Sequence, residues 1–275
     1  MRLTAHNWMR IRRAISCWSA KVVITLGVGL GWTVSNAQCI ADSYRDFSDV
    51  QGQAGWYYGY YDRDGDPDQT YHAATDFQLM PQFDNPFGLG WFVRWGEGGF
   101  WTHVGREIMH PNGRTTSGWR QSREHWAIRR WVSPVQGSYT LRVRLDEYTC
   151  CGDGTVARVY VDGIEIWSLV VPACDWDGGV YEIPVNLQVG TVVDFALDPW
   201  IANDWCDGTV YIVQVVRSLS GDVDGSGCVD DADLLAVLFA FGNTGSDAGS
   251  ADMNCDGVVD DADLLTVLFN FGGGC

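Results

Sequence analysis

The sequence predicts a mainly β protein: an antiparallel β-sandwich of jelly-roll type, followed by a small all-α pair of loop–helix units. Three observations predict it. Short alternating strands separated by Gly, Pro and Asp turns fill residues 38–218, where helical periodicity is scarce. A 21-residue pattern is written twice near the C-terminal end, from Asp222 and from Asp252, with 14 of 21 positions identical. Eight cysteines follow residue 37, an even count that suits disulfides in a secreted chain.

Residues 1–37 read as a secretion signal. Arg2, Arg10, Arg12, Arg13 and Lys21 precede an apolar run from Val22 to Val34, and Ser35-Asn36-Ala37 is a small-x-small cleavage site. The expected location is extracellular or at the cell surface, with no membrane span once the signal is removed. The chain beyond residue 37 carries 13 Arg, no Lys and 35 acidic residues. Such a chain lacks the basic patches that phosphate contact needs, which excludes nucleic acid as a partner. Cys150 and Cys151 are adjacent and bridge to different partners, with Cys174 and Cys206 the nearest candidates in the same domain. No C-x-x-C pair supports a zinc site.

Within 38–218 the strands can be read one by one. Tyr139, Leu141, Val143 and Leu145 alternate with Thr140, Arg142, Arg144 and Asp146, a half-buried antiparallel strand. Residues 156–161 and 164–169 flank Asp162-Gly163, a two-residue hairpin turn. Residues 191–197 and 209–216 are further strands. Arg129 and Arg130 point to opposite faces if they lie in a strand.

Eleven tryptophans fall in this region and none in the repeats. Flat aromatic faces beside hydrogen-bonding groups suit sugar rings, and the same side chains also fill sandwich interiors. Trp56, Tyr58, Trp95, Trp101 and Trp131 are the stacking candidates, with Arg129 as a clamp for a sugar or acidic group. The run Ala127-Ile128-Arg129-Arg130-Trp131-Val132-Ser133-Pro134, then Gly137, Gly152-Asp153-Gly154, Val161-Asp162-Gly163 and Trp167, is similar to galactose-binding-like, carbohydrate-binding modules of bacterial polysaccharide-associated proteins. The resemblance covers residues 125–215 and implies a β-sandwich and a polysaccharide or glycan partner. Asp62, Asp64, Asp66 and Asp68 form a dense acidic loop, a place for a third calcium ion as in such sandwiches, although it does not fit the twelve-residue frame described next.

The repeats carry the most specific chemistry. Calcium takes six to eight oxygens, and a twelve-residue loop offers them at positions 1, 3, 5, 7, 9 and 12 with Gly at 6. The first copy supplies Asp222, Asp224, Ser226, the Cys228 carbonyl, Asp230 and Asp233. The second supplies Asp252, Asn254, Asp256, the Val258 carbonyl, Asp260 and Asp263, with Gly227 and Gly257 at position 6. Two calcium ions are therefore expected. A helix follows each loop, with Leu234, Leu235, Leu238, Phe239 and Phe241 as an apolar stripe and Gly242 as its stop; the second helix matches it up to Gly272.

This pair, in a domain expected over residues 219–275, resembles a type I dockerin from residue 221 to residue 275. The resemblance implies two calcium units packed about a pseudo-two-fold, a cohesin-like or cell-surface protein partner, and chain ends that meet, so that Cys228 bridges to Cys275. Unlike cellulosomal dockerins, both copies have Asp-Ala after loop position 9, and the segment has no Lys or Arg.

No catalytic constellation is evident: there is no G-x-S-x-G elbow and no H-E-x-x-H. The expected protein is secreted and non-catalytic, a carbohydrate-binding sandwich joined to a calcium-dependent docking module. The alternatives are a small glycoside hydrolase or lyase on the same jelly roll, with Glu107 and Glu124 as its carboxylates, or a structural surface or matrix protein whose tryptophans are all buried.

Overall fold

Alternation along the chain sets up two antiparallel sheets. The computed structural model describes residues 39–84, 90–115, 120–147, 149–175, 177–201 and 203–275; the signal segment 1–37, Trp119 and Trp176 lie outside the described residues. The strands are β1 (Cys39–Asp42), β2 (Trp56–Asp62), β3 (Gln78–Leu79), β4 (Gln82–Asp84), β5 (Gly90–Phe92), β6 (His103–Val104), β7 (Ile108–His110), β8 (His125–Val132), β9 (Gly137–Glu147), β10 (Thr155–Val161), β11 (Ile164–Val171), β12 (Gly179–Leu187), β13 (Val192–Asp198) and β14 (Thr209–Arg217). One sheet runs β12-β9-β14-β7-β6-β5-β4, with β1 also paired to β14; the other runs β11-β10-β13-β8-β2-β3.

The sheets face each other across one core. Trp56, Tyr58, Ala127, Trp131 and Phe195 come from the second sheet, and Leu141, Val143, Tyr211 and Val213 from the first. Register makes this possible: Val143 stands opposite Val213 on β14 and Tyr181 on β12, while Trp131 stands opposite Trp56 and Val193. The expected alternation of β9 holds, with Tyr139, Leu141, Val143 and Leu145 buried. So does the 162–163 hairpin, where Asp162 and Gly163 both take the positive φ that its turn requires. Cys150 and Cys151 do bridge to different partners, Cys150 to Cys174 and Cys151 to Cys206, an assignment that the sequence leaves open.

Two buried imidazoles tie stability to pH. Burial pushes the pKa of His103 and of His125 down to about 4, so both are neutral in the fold. The unfolded chain protonates them near pH 6.5. Their stabilisation is therefore complete above that pH and is lost as pH falls toward 4. Unfolding in urea without calcium should become easier by roughly 2 kcal/mol per histidine between pH 7.5 and 5. A urea midpoint that does not move over that range would refute this.

The C-terminal repeats form α1 (Asp231–Ala240) and α2 (Asp261–Asn270), each preceded by its loop and each capped by the last loop carboxylates. Val223, Val229, Val237, Met253, Val259 and Val267 make a separate small core. The two units exchange partners. Val229 of the first loop bonds through its backbone to Gly272 and Gly273 after α2; Val259 of the second bonds to Gly242 and Asn243 after α1. Cys228 and Cys275 are disulfide-bonded.

The repeats also touch the sandwich. Arg45 reaches Asp252 at 3.3 Å, and Cys255 in the second loop acts with burial to push the thiol of Cys39 on β1 well above its usual pKa. Among the described residues no helix is long and apolar enough to cross a membrane.

Candidate functional site

The outer face of the β11–β3 sheet holds a cleft. On β10, Ala157 and Val159 point into the sandwich, which leaves Val156, Arg158 and Tyr160 on the outside. Residues 63–77 fold across this face, and Tyr71 and Ala73 from that segment pack on Tyr61, Trp126, Ile128 and Tyr160 in a second, shallow core. Beside this cover lies an open cleft of about 430 Å³, lined by Arg63, Tyr71, Trp126, Arg158, Tyr160, Glu165, Asp198 and Trp200.

Its polar groups are fixed by one guanidinium. Arg158 donates to Asp198 at 2.6 Å and to Glu165 at 3.1 Å, and its guanidinium carbon lies 5.2 Å from the Trp126 ring centre. Tyr160 donates its hydroxyl to Glu165 at 3.0 Å. Burial holds the Asp198 carboxyl above its usual pKa, with Arg158 opposing. Burial acts the same way on Glu165, but hydrogen bonds and Arg158 outweigh it and hold Glu165 below its usual range. Trp200 follows Asp198 in chain. Its N–H bonds Asp198 Oδ1 at 2.9 Å, its φ is +36°, and its side chain is 46 % exposed.

Of the aromatic residues expected to contact a ligand, Trp56, Tyr58 and Trp131 belong to the core between the sheets, where no sugar reaches them. Arg129 is corrected too. It is fully buried and donates to Ser43 Oγ, the Tyr211 carbonyl and the Gly105 carbonyl, each at 2.7 Å. Arg130 does lie on the opposite face, bonded to Asp194 at 2.7 Å. Trp95 and Trp101 are partly exposed, and the Arg120 guanidinium lies 4.2 and 4.1 Å from their ring centres.

Glu124, one of the two carboxylates expected of a hydrolase, is buried under Arg63 and Trp126. Glu107 is on the turn between β6 and β7, in the other sheet. In the acidic loop, Asp62 is bound by Arg123, Asp64 by Arg114 at 2.6 Å, and Asp66 by the Tyr61 hydroxyl at 2.6 Å. A third calcium ion there would have to displace two arginines, so the structure gives that expectation no support.

The repeat loops have the shape of cages. In the first, ligand oxygens of Asp222, Asp224 and Asp233 lie within 4.8 Å of one another. Backbone N–H groups of Gly225 and Gly227 fix Asp222, and those of Val223 and Asp224 fix Asp233. The second loop repeats these backbone bonds. Gly257 donates to Asp252, and Met253 and Asn254 donate to Asp263. Asp233 and Asp263 are buried, so the short carboxylate at position 12 is carried inward by the start of its helix. These all-oxygen donor sets fit a hard divalent cation. Ser226 donates to the Cys228 carbonyl, while Asp230, Asp260 and Val258 stand at the loop–helix junctions. Asn254 and Asp256 are hydrogen-bonded to each other at the second loop's mouth.

No family model matches the sequence, and no curated protein matches it. The solved structures it resembles include carbohydrate-binding modules and, over 75 % of this chain at 10 % identity and a TM-score of 0.31, a β-glucosidase from Kluyveromyces marxianus. A family 35 module from Clostridium thermocellum is 23 % identical, with 34 % of this chain and 71 % of that one covered at a TM-score of 0.26. The C-terminal CBM6 of a marine laminarinase from Zobellia galactanivorans is 12 % identical, covering 40 % and 90 % at 0.25. A CBM35 from Paenibacillus barcinonensis is 14 % identical, covering 40 % and 91 % at 0.24. Likenesses this slight carry no argument about function.

Two groups of site residues escape sequence reasoning. The cleft's Trp126, Arg158, Asp198 and Trp200 come from separate strands and one loop; only the alternation of β10 hints that Arg158 faces outward. The spacing of the helix stripes does not say how much of them is covered, and only Val237 and Val267 are wholly buried apolar residues there. Leu235, Leu238 and Phe241 are half exposed with Leu265, Leu268 and Phe271, and Phe239 and Phe269 are 86 % and 82 % exposed. Each unit thus presents an equivalent apolar face.

Proposed function

We propose that this chain is a secreted, non-catalytic protein that holds a carbohydrate in the Trp126–Trp200 cleft. We propose further that it docks through a dockerin-like, calcium-ordered pair of loop–helix units onto a cohesin-like or cell-surface protein. The cleft carries the first part. A half-exposed Trp200 stands over Arg158, Glu165 and Asp198 in an open groove, so an apolar sugar face and its hydroxyls would both find partners. Supporting the second part are the carboxylate cage of the first loop, the matching backbone bonds of the second, and the paired apolar faces around Phe239 and Phe269, which no basic residue of the segment interrupts. Secretion rests on the composition of residues 1–37.

The test is a pull-down of the full chain on a panel of insoluble polysaccharides. At least one should retain it, and Trp200→Ala should weaken retention about tenfold. Equal retention of the variant would remove the cleft from the reading. One observation favours a second reading. Asp198 and Glu165 share the cleft with their pKa values pushed apart, as in an acid–base pair. Binding is preferred because Arg158 already pairs with both. Reducing-sugar release from the same panel that disappears in Asp198→Asn would put hydrolysis in its place.

A further inference from the structure

The three disulfides each close within one part of the chain, two in the sandwich and one in the repeats. Cys39 and Cys255, one from each part, are thiols. The duplication makes Cys255 conspicuous. It stands at loop position 4, where the first copy has Gly225. There the chain turns into the left-handed region, at φ +78° for Gly225 and +63° for Cys255. Glycine takes such a φ freely, whereas a residue with a side chain is strained by it. The second copy bears that strain and gains a sulfur at the position. Strain held at one point of a fold is a reason to ask what the residue does there.

The sulfur lies where the second loop meets the sandwich. Cys39 opens β1, and its N–H points to the Asp252 carbonyl at 3.5 Å. Arg45 Nη1 lies 3.3 Å from the carboxylate of the same Asp252, three residues before Cys255. The first strand and the second loop thus meet beside both cysteines. Cys39 is only 2 % exposed, and among the groups that raise its thiol pKa the Cys255 side chain comes before burial. A direct side-chain influence of that kind is short-ranged. Cys255 is the more accessible of the pair.

We propose that Cys39 and Cys255 form a fourth disulfide, which fastens the second repeat loop to the first strand of the sandwich. The oxidant is an external disulfide such as oxidised glutathione. The Cys255 thiol loses its proton and attacks one sulfur of the oxidant, whose other half leaves and takes up a proton. The Cys39 sulfur then attacks Cys255 in the mixed disulfide, and the second half of the oxidant leaves as a thiol with the Cys39 proton. Two electrons and two protons pass to the oxidant, which ends as two thiols. The link holds the repeats to the sandwich at a second point, besides the short connection after Arg217. This assignment depends neither on what the cleft binds nor on what partner the repeats meet.

The sequence supplies a clean test. No Lys or Arg follows Arg217, and Arg45 is the first basic residue after Cys39. Trypsin therefore releases the repeats as one peptide, 218–275, and leaves Cys39 on a peptide that ends at Arg45. The full-length chain is incubated with oxidised glutathione, its remaining thiols are blocked with iodoacetamide, and it is digested in urea without reductant. Mass spectrometry should find 218–275 joined to the peptide ending at Arg45, and reduction should separate the two. In Cys39→Ser the 218–275 peptide should be unattached, with Cys255 carrying glutathione or the alkyl group. If wild-type 218–275 is also unattached, or is joined to any other cysteine peptide, the proposal is wrong.

Discussion

Replacing Asp222 and Asp252 together by alanine is expected to abolish the calcium-induced ordering of residues 222–275. Each is position 1 of its loop, and each does two jobs. Asp222 offers its carboxylate to the cage and also accepts the N–H groups of Gly225 and Gly227 at 2.8 and 3.0 Å, which shape the turn. Asp252 accepts Asp256 and Gly257 N–H in the same way. The segment holds eleven acids and no base, so without an ion it repels itself. Binding an ion to the folded form only would stabilise that form by mass action. Calcium affinity at the repeats should fall at least about 100-fold, and the far-UV circular-dichroism response to calcium in this segment should vanish. The control is Asp231→Ala with Asp261→Ala, at exposed helix-start positions outside the ligand set. A full-strength response in the first double variant would sink the ligand assignment.

The second large effect is expected from Arg129→Ala, a loss of about 3–5 kcal/mol of folding stability. Arg129 lies on β8 but reaches across the core to the Tyr211 carbonyl on β14 of the opposite sheet and to Gly105 beyond β6. Burial lowers its pKa to about 10, so it keeps its charge at neutral pH. Its hydrogen bonds go to carbonyls and to the Ser43 hydroxyl rather than to a carboxylate. Truncation would leave those acceptors buried and unmet and would open a cavity between the sheets. Urea unfolding gives the number, and a change below about 1 kcal/mol would mean that the bridge contributes little. Arg129→Lys should fall between the two, since one ammonium cannot reproduce the planar fork.

These two sites were not equally legible. The calcium loops could be read residue by residue because their ligands are neighbours in sequence, and Gly227 and Gly257 mark the turn. The alternation of Tyr139 to Leu145, the 162–163 hairpin and the adjacency of Cys150 and Cys151 are local signals too, and the fold keeps them. Arg129 was recognised as facing away from Arg130, but not that its face was the interior. That depends on which sheet covers β8, a pairing between residues 82 apart. Composition raised the prospect of aromatic ligand contacts, but could not separate Trp56 and Trp131, stacked on the core, from Trp200 on a loop. The helix stripes show the same limit. Periodicity says that Leu235, Leu238 and Phe239 share a side, not whether anything covers it.

The exchange of partners between the repeats has a consequence for how the module can come apart. Val229 needs the residues after α2, and Val259 needs those after α1, so neither half contains its own closing contacts. The Cys228–Cys275 bond, 47 residues apart in sequence, then makes a ring of the whole pair. Closing a ring of that size removes chain entropy from the unfolded ensemble worth roughly 4 kcal/mol in the loop-closure treatment. The smallest cooperative unit is therefore the duplicated segment as a whole. Proteolytic nicking between the halves would leave them covalently joined and still able to close on each other.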